Sequence, residues 1–179
     1  ENKFKMDSDT FQHNGHALHF DACKFGKWLC DNYCKPRGVK HIQMEVTDVR
    51  VGDIGVEYVT LSNGEKITGE LFIDCTGFKS LLLEGALKIP FKDYSNVIPN
   101  NMAWATHLPY IDKEKELTAL TTCTTLENGW VWNIPLWSRI GSGYVYSNKY
   151  VNDEEALQEF KNHIKKNGRD PETLSYKKI

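Results

Sequence analysis

Trp130-Val131-Trp132-Asn133-Ile134-Pro135 is the segment whose residue types speak most directly of chemistry. In an extended strand alternate side chains share a face, so Trp130 and Trp132 stand side by side. Two neighbouring indoles need something broad to pack on. An aromatic core, an interface patch, an isoalloxazine ring, a planar aromatic substrate and a partner surface all meet that need. A second candidate is Gly77, at the tip of the apolar run Leu71-Phe72-Ile73-Asp74-Cys75. In open α/β sheets ligands gather at the carboxyl ends of strands, and a residue without Cβ lets backbone approach them. A plain turn is the competing reading of one glycine.

Three other groupings look chemical and reduce to ordinary structure. His13, His16 and His19 lie three apart, but the Asn14-Gly15 turn breaks any helix that would align them, and in a strand they do not share a face. They read as solvated or locally bonded histidines. Cys23, Cys30 and Cys34 fall near one helix face and read as small buried hydrophobes rather than a metal set. Gly141-Ser142-Gly143 opens like a phosphate loop, but it lacks the third glycine and runs into Tyr-Val-Tyr, a strand rather than a helix N-terminus. No Gly-x-Ser-x-Gly elbow, His-Glu-x-x-His pair or distinct carboxylate pair occurs.

The elements that would position these residues follow from periodicity. Asp21 is placed to cap a helix running to about Lys35, with Ala22, Phe25, Trp28, Leu29 and Tyr33 on its apolar stripe, Gly26 weakening its middle and Pro36-Arg37-Gly38 ending it. A strand is expected over Val39 to Val46. Next come Val56 to Leu61 and Ile67 to Leu71, joined around Asn63-Gly64, the strongest short hairpin signal. Leu71 to Cys75 reads as a short buried strand. After a loop bracketed by Pro90 and Pro99, strands are expected over Met102 to Leu108, Leu117 to Thr125, Trp130 to Leu136 and Ser142 to Ser147. A final helix runs from Asp153 to about Lys166, with Ala156, Leu157, Phe160 and Ile164 as its apolar stripe. Acids at its start and lysines at its end suit its dipole.

The whole chain bounds the function classes. Its 179 residues are 40% hydrophobic, enough for a core and against bulk disorder. A net charge of −2 lacks the basic excess of a dedicated nucleic-acid binder. No apolar run approaches the ~20 residues of a membrane span. An odd set of five scattered cysteines predicts a reducing, cytoplasmic location. The chain begins Glu-Asn-Lys without a methionine and stops at Lys-Lys-Ile, which suggests a piece of something longer.

At the tryptophan motif the sequence resembles a family, the flavin-dependent or tryptophan halogenases. Trp130 to Pro135 matches its Trp-x-Trp-x-Ile-Pro signature. In the family's order, His19-Phe20-Asp21-Ala22 resembles its helix start, and Asp74-Cys75-Thr76-Gly77-Phe78 its Asp-Cys-Thr-Gly-Phe segment. Pro99-Asn100-Asn101 resembles its turn, and Gly143-Tyr144-Val145-Tyr146-Ser147 its following strand. The likeness covers about residues 15 to 160. The tryptophan pair is specific to the family, whereas many FAD monooxygenases carry something like the Asp-Cys-Thr-Gly segment.

The resemblance implies an α/β (α+β) chain: part of an FAD/NAD(P)-binding Rossmann-like domain over residues 1–85, and a mainly antiparallel substrate- and flavin-covering region over 86–179. It implies FAD, reduced by a separate flavin reductase, with oxygen and halide used to halogenate an electron-rich aromatic substrate. Val46 and Thr76-Gly77 would bind cofactor, and Trp130, Trp132 and Pro135 would line the flavin and substrate pocket. A homo-oligomer is compatible with this picture; nucleic acid, membrane and metal are not expected. The family's Gly-x-Gly-x-x-Gly, catalytic lysine and catalytic glutamate have no counterpart in the matched segments, and Lys79 is not that lysine. The chain alone is therefore expected to be an inactive slice. An FAD monooxygenase and a non-catalytic interaction module remain the alternative classes.

Overall fold

The computed structural model describes residues 17–179, which fold into two compact units: Trp28–Asp93 in one, and Tyr94–Ile179 together with the segment up to Lys27 in the other. His13, His16 and the Asn14-Gly15 turn lie outside the described residues. Helix α1, Ala22–Leu29, begins as its sequence predicts: Asp21 Oδ1 accepts the Lys24 backbone N–H at 3.2 Å. The helical path does reach Arg37, but as a π-helical turn over Cys30–Cys34 and a 3-10 turn over Lys35–Arg37 rather than as one α-helix. Gly38, at φ 84°, provides the left-handed stop.

In the first unit, β1 (Val46–Gly52), β2 (Gly55–Leu61) and β3 (Lys66–Thr68) form an antiparallel three-stranded sheet in that order. The β2–β3 hairpin turns on Asn63-Gly64, as expected, with Gly64 at φ 83°. Two expectations fail here. Residues 39–45 are not a strand; the strand starts at Val46, where that segment was expected to end, because Val46, Val49 and Val51 find partners in Leu61, Val59 and Val56. Leu71 to Cys75 is neither paired nor buried: Leu71 and Ile73 are exposed, since no described strand lies beside them. The pattern of a buried strand needs a neighbour to become one.

The second unit is built on an antiparallel five-stranded sheet ordered β5-β6-β7-β4-β8: β4 (Met102–Leu108), β5 (Thr122–Thr125), β6 (Gly129–Pro135), β7 (Ile140–Tyr146) and β8 (Lys177–Lys178). The strand expected from Leu117 is confined to Thr122–Thr125, because Asp112 caps a helical turn, α2 (Lys113–Glu116), through the Glu114 and Lys115 N–H groups. Helix α3 (Asp153–Lys166) forms as expected, capped by Asn152. It lays Ala156, Phe160 and Ile164 against Val131, Tyr144 and Tyr146, which are fully buried. Each large side chain so buried contributes about 1.5–3 kcal/mol.

The buried phenols are tied down as well. Tyr144 donates to Glu159 and Tyr146 to Asp153, each at 2.6 Å. Burial and the neighbouring carboxylates push both phenols well above the ordinary tyrosine range. No helix among the described residues is long and apolar enough to cross a membrane.

Candidate functional site

The alternation of β6 sorts its side chains onto two faces of the sheet. Val131, Asn133 and Pro135 face α3, and Trp130, Trp132 and Ile134 face the other way. The indoles meet at 6.2 Å between ring centroids, tilted by 60°. Across the ladder, Trp132 is opposite Gly143 on β7 and Cys123 on β5, and Gly143 is opposite Ala105 on β4.

Those small neighbours explain how a broad side chain can lie along the sheet. A Cβ on Gly143 would stand 2.1 Å from the Trp132 ring. The indole therefore occupies the space that any other residue at 143 would fill. Trp130 remains 37% exposed, and Trp132 is half-buried. The two tryptophans thus form a platform on an open sheet face. The sequence points to the tryptophans but not to Gly143; the signal available was a glycine in register with the second indole.

Pro135 falls on the buried face and closes the strand. Its carbonyl accepts a bond from His19 Nδ1 at 3.2 Å, while His19 Nε2 bonds the Thr121 hydroxyl at 3.1 Å. Asp21 adds a second tie, accepting from Arg139 beyond the same strand. The Arg139 bond and the Lys24 N–H hold the Asp21 carboxyl below its ordinary range. His19 is thus neither solvated nor locally bonded, as the sequence suggests, but tied to residues more than a hundred positions away. The expectation that the three cysteines pack in a core is corrected: Cys23 is exposed and Cys30 and Cys34 only half-buried, because α1 buries none of its residues.

In the other unit, Thr76 and Gly77 sit in a turn organised by a residue the sequence reading did not single out. Asp74 Oδ1 accepts from the Thr76 hydroxyl at 2.6 Å and from its N–H at 3.0 Å. Asp74 Oδ2 accepts from Leu82 N–H at 2.8 Å and Leu83 N–H at 3.3 Å. The Thr76 oxygen in turn accepts from Leu81 N–H at 2.9 Å. Together they satisfy the first N–H groups of a helical turn over Leu81–Ala86. These bonds, led by the Thr76 hydroxyl, lower the Asp74 pKa to about 2.

Gly77 has φ 65°, a conformation that favours glycine, and no heavy atom lies within 4 Å of the position a Cβ would take. Its surroundings are open rather than crowded by the unit's own atoms. Val46 is half-buried at the start of β1, just before a register shift at Asp48. A cleft of about 250 Å³ separates Thr47, Asp48 and Val49 of β1 from Leu81, Gly85 and Ala86. Val46 and Thr76-Gly77 therefore belong to one unit, and Trp130, Trp132 and Pro135 to the other.

Comparison with known proteins bears on both units. The family profile described as tryptophan halogenase matches residues 1–178. The chain is 42% identical over 149 residues to the 7-chloro-L-tryptophan 6-halogenase KtzR of Kutzneria sp. (strain 744), covering 81% of this chain and 29% of that protein. It is also 42% identical over 149 residues to the tryptophan 6-halogenase SttH of Streptomyces toxytricini, covering 81% and 28%. The solved apo structure of VirX1 superimposes with a TM-score of 0.83 at 40% identity, over 89% of this chain and 30% of that one. The crystal structure of SttH gives 0.80 at 36% identity, over 89% and 30%. The chain thus spans about three tenths of the length of the relatives it matches.

Proposed function

The chain belongs to the tryptophan halogenase family, and from that premise we propose that the protein is a flavin-dependent halogenase acting on an electron-rich, tryptophan- or indole-like ring. The observation that carries the reading is the open platform of Trp130 and Trp132, with Trp132 lying over Gly143. Such a surface suits a planar ring system at least as broad as the indoles.

The residues fit FAD. The tryptophan face is uncovered, and Gly77 leaves free space beside a backbone that a bulky ligand can approach. In this reading Trp130 and Trp132 flank the flavin and substrate pocket and exclude water, while Pro135, held by His19, fixes the end of their strand. The Val46 backbone takes the adenine side, and Thr76 and Gly77 line the cofactor, with Asp74 holding their turn in shape. Reduced FAD, when bound, supplies the oxygen-activating chemistry that oxidises halide. This chain's own residues bind, orient and shield.

Residues 1–85 then belong to a Rossmann-like FAD-binding domain and 86–179 to the region that covers flavin and substrate. The catalytic lysine and glutamate of the family are assigned to segments other than those matched here. A separate flavin reductase supplies the reduced cofactor, halide and the aromatic compound are the other partners, and a homo-oligomer is compatible with the reading. The unpaired cysteines suit the cytoplasm.

The test supplies the full polypeptide containing this chain with FAD, a flavin reductase, NADH, oxygen, bromide and tryptophan or indole, and reads products by mass spectrometry. A brominated ring that appears only with bromide is expected. An oxygenated product formed without halide would assign an FAD monooxygenase instead, and flavin-free protein with no product would favour an interaction module.

A further inference from the structure

Three strand ends of the five-stranded sheet are held by one short segment that precedes them by more than a hundred residues. β5 is an edge strand of four exposed residues, and among the described residues it pairs with β6 alone. Its ladder runs from Thr125 opposite Trp130 to Thr122 opposite Asn133 and stops there. Just beyond that last pair the His19 ring bridges the two strands, with Nε2 on the Thr121 hydroxyl at 3.1 Å and Nδ1 on the Pro135 carbonyl at 3.2 Å. A carbonyl only accepts, so Nδ1 carries a proton. Nε2 accepts from Thr121 in the neutral ring and donates to it in the charged one, so both protonation states keep both bonds.

Two residues on, Asp21 reaches the third strand end. It accepts from Arg139, which directly precedes β7 and closes the β6–β7 hairpin, its carbonyl accepting from the Leu136 N–H at 2.8 Å. The Arg139 side chain is three-quarters buried, and its Nε is enclosed without a hydrogen-bond partner among the described residues. The ion pair with Asp21 compensates that charge, and breaking it would leave a largely buried guanidinium alone. The clasp bears on the tryptophan platform because β5 and β7 carry the platform's neighbours. Cys123 and Thr125 of β5 stand opposite Trp132 and Trp130, and Gly143 of β7 stands opposite Trp132. Directly opposed residues share a face of the sheet. A shift of the edge strand would therefore move the side chains that border the indoles.

We infer that His19 and Asp21 are positioning residues for the tryptophan platform: they hold the ends of β5, β6 and β7 so that Cys123, Thr125 and Gly143 keep their places beside the indoles. They act through the strand ends rather than by contact with a bound ring. Their bearing on the reaction rests on the flavin reading proposed above.

Thr121→Val removes the bridging hydroxyl and keeps the shape, Thr121→Ser keeps the hydroxyl, and Asp21→Asn removes the ion pair while leaving a capping side chain for α1. Amide hydrogen exchange of the full polypeptide, read by mass spectrometry over Thr122–Thr125, should run at least about threefold faster in Thr121→Val and in His19→Phe, and return to the parent rate in Thr121→Ser. In the bromination assay, Thr121→Val and Asp21→Asn should raise the KM for reduced FAD by about three- to tenfold with kcat changed less than about twofold, and Thr121→Ser should restore the parent KM. Unchanged exchange at β5 in Thr121→Val and His19→Phe, faster exchange with an unaltered flavin KM, or no recovery in Thr121→Ser would each overturn the inference. A parent protein that takes up no flavin would refute the proposed function instead, and exchange at β5 would then decide the clasp by itself.

Discussion

The two faces of one sheet are built for different ends. On the face against α3, Val131, Tyr144 and Tyr146 meet Phe160 of the helix with no accessible surface left, and the Tyr144 hydroxyl is bound to a carboxylate. On the reverse, Trp130 and Trp132 are no smaller or less apolar, yet they lie partly open, Trp132 along Gly143. Aromatic residues therefore carry opposite meanings on alternate positions of β6 and β7. Where they interlock with a helix they hold the fold, and where small neighbours let them lie along the sheet they offer a surface.

The comparison breaks most readily at Phe160. Phe160→Ala should lower the unfolding free energy by about 3–5 kcal/mol, read by urea denaturation, whereas Trp132→Ala should cost about 1–2 kcal/mol, because the indole is only half-buried and its loss opens no sealed cavity. Equal losses would erase the distinction. Gly143→Ala should displace the rigid Trp132 ring, lowering the unfolding free energy by about 1–2 kcal/mol, and weaken flavin binding by about tenfold, or ~1.4 kcal/mol. Fluorescence titration checks this. Tyr144→Phe should cost about 1 kcal/mol, as Glu159 keeps its bonds from Glu127 and Asn128.

The smallest effect lies off the sheet and serves as a control. Asp74 has a folded pKa of about 2 against an ordinary 3.8, so its contribution is present above about pH 4 and lost as pH falls through 2. Asp74→Asn should flatten that part of the acid-stability profile, followed by circular dichroism, without altering the sheet.

The same contrast explains what the sequence made legible. Helix α3 and β4 are self-announcing: an apolar stripe with a cap, and alternation with β-branched and aromatic residues. The hairpin at Asn63-Gly64 is a local signal and was readable for that reason. Leu71 to Cys75 misled because a buried strand is a statement about neighbours, and the described chain gives it none. The start of β1 is not legible locally, because Val46, Val49 and Val51 are selected by cross-strand partners in β2, Leu61, Val59 and Val56. At the candidate site, the tryptophan pair was visible in its spacing. Gly143 was not, since its meaning depends on a cross-strand register. Nothing in the local pattern marks Asp74, because its two oxygens act on backbone groups up to nine residues away.

The most direct measurement is a titration of FAD fluorescence with the full polypeptide and with its Trp130→Ala/Trp132→Ala variant. Saturable quenching by the parent protein is expected, and it should be lost in the variant while the variant still unfolds cooperatively, destabilised by no more than about 2–4 kcal/mol. Undiminished quenching by a folded variant would contradict the assignment of the open tryptophan face to the flavin.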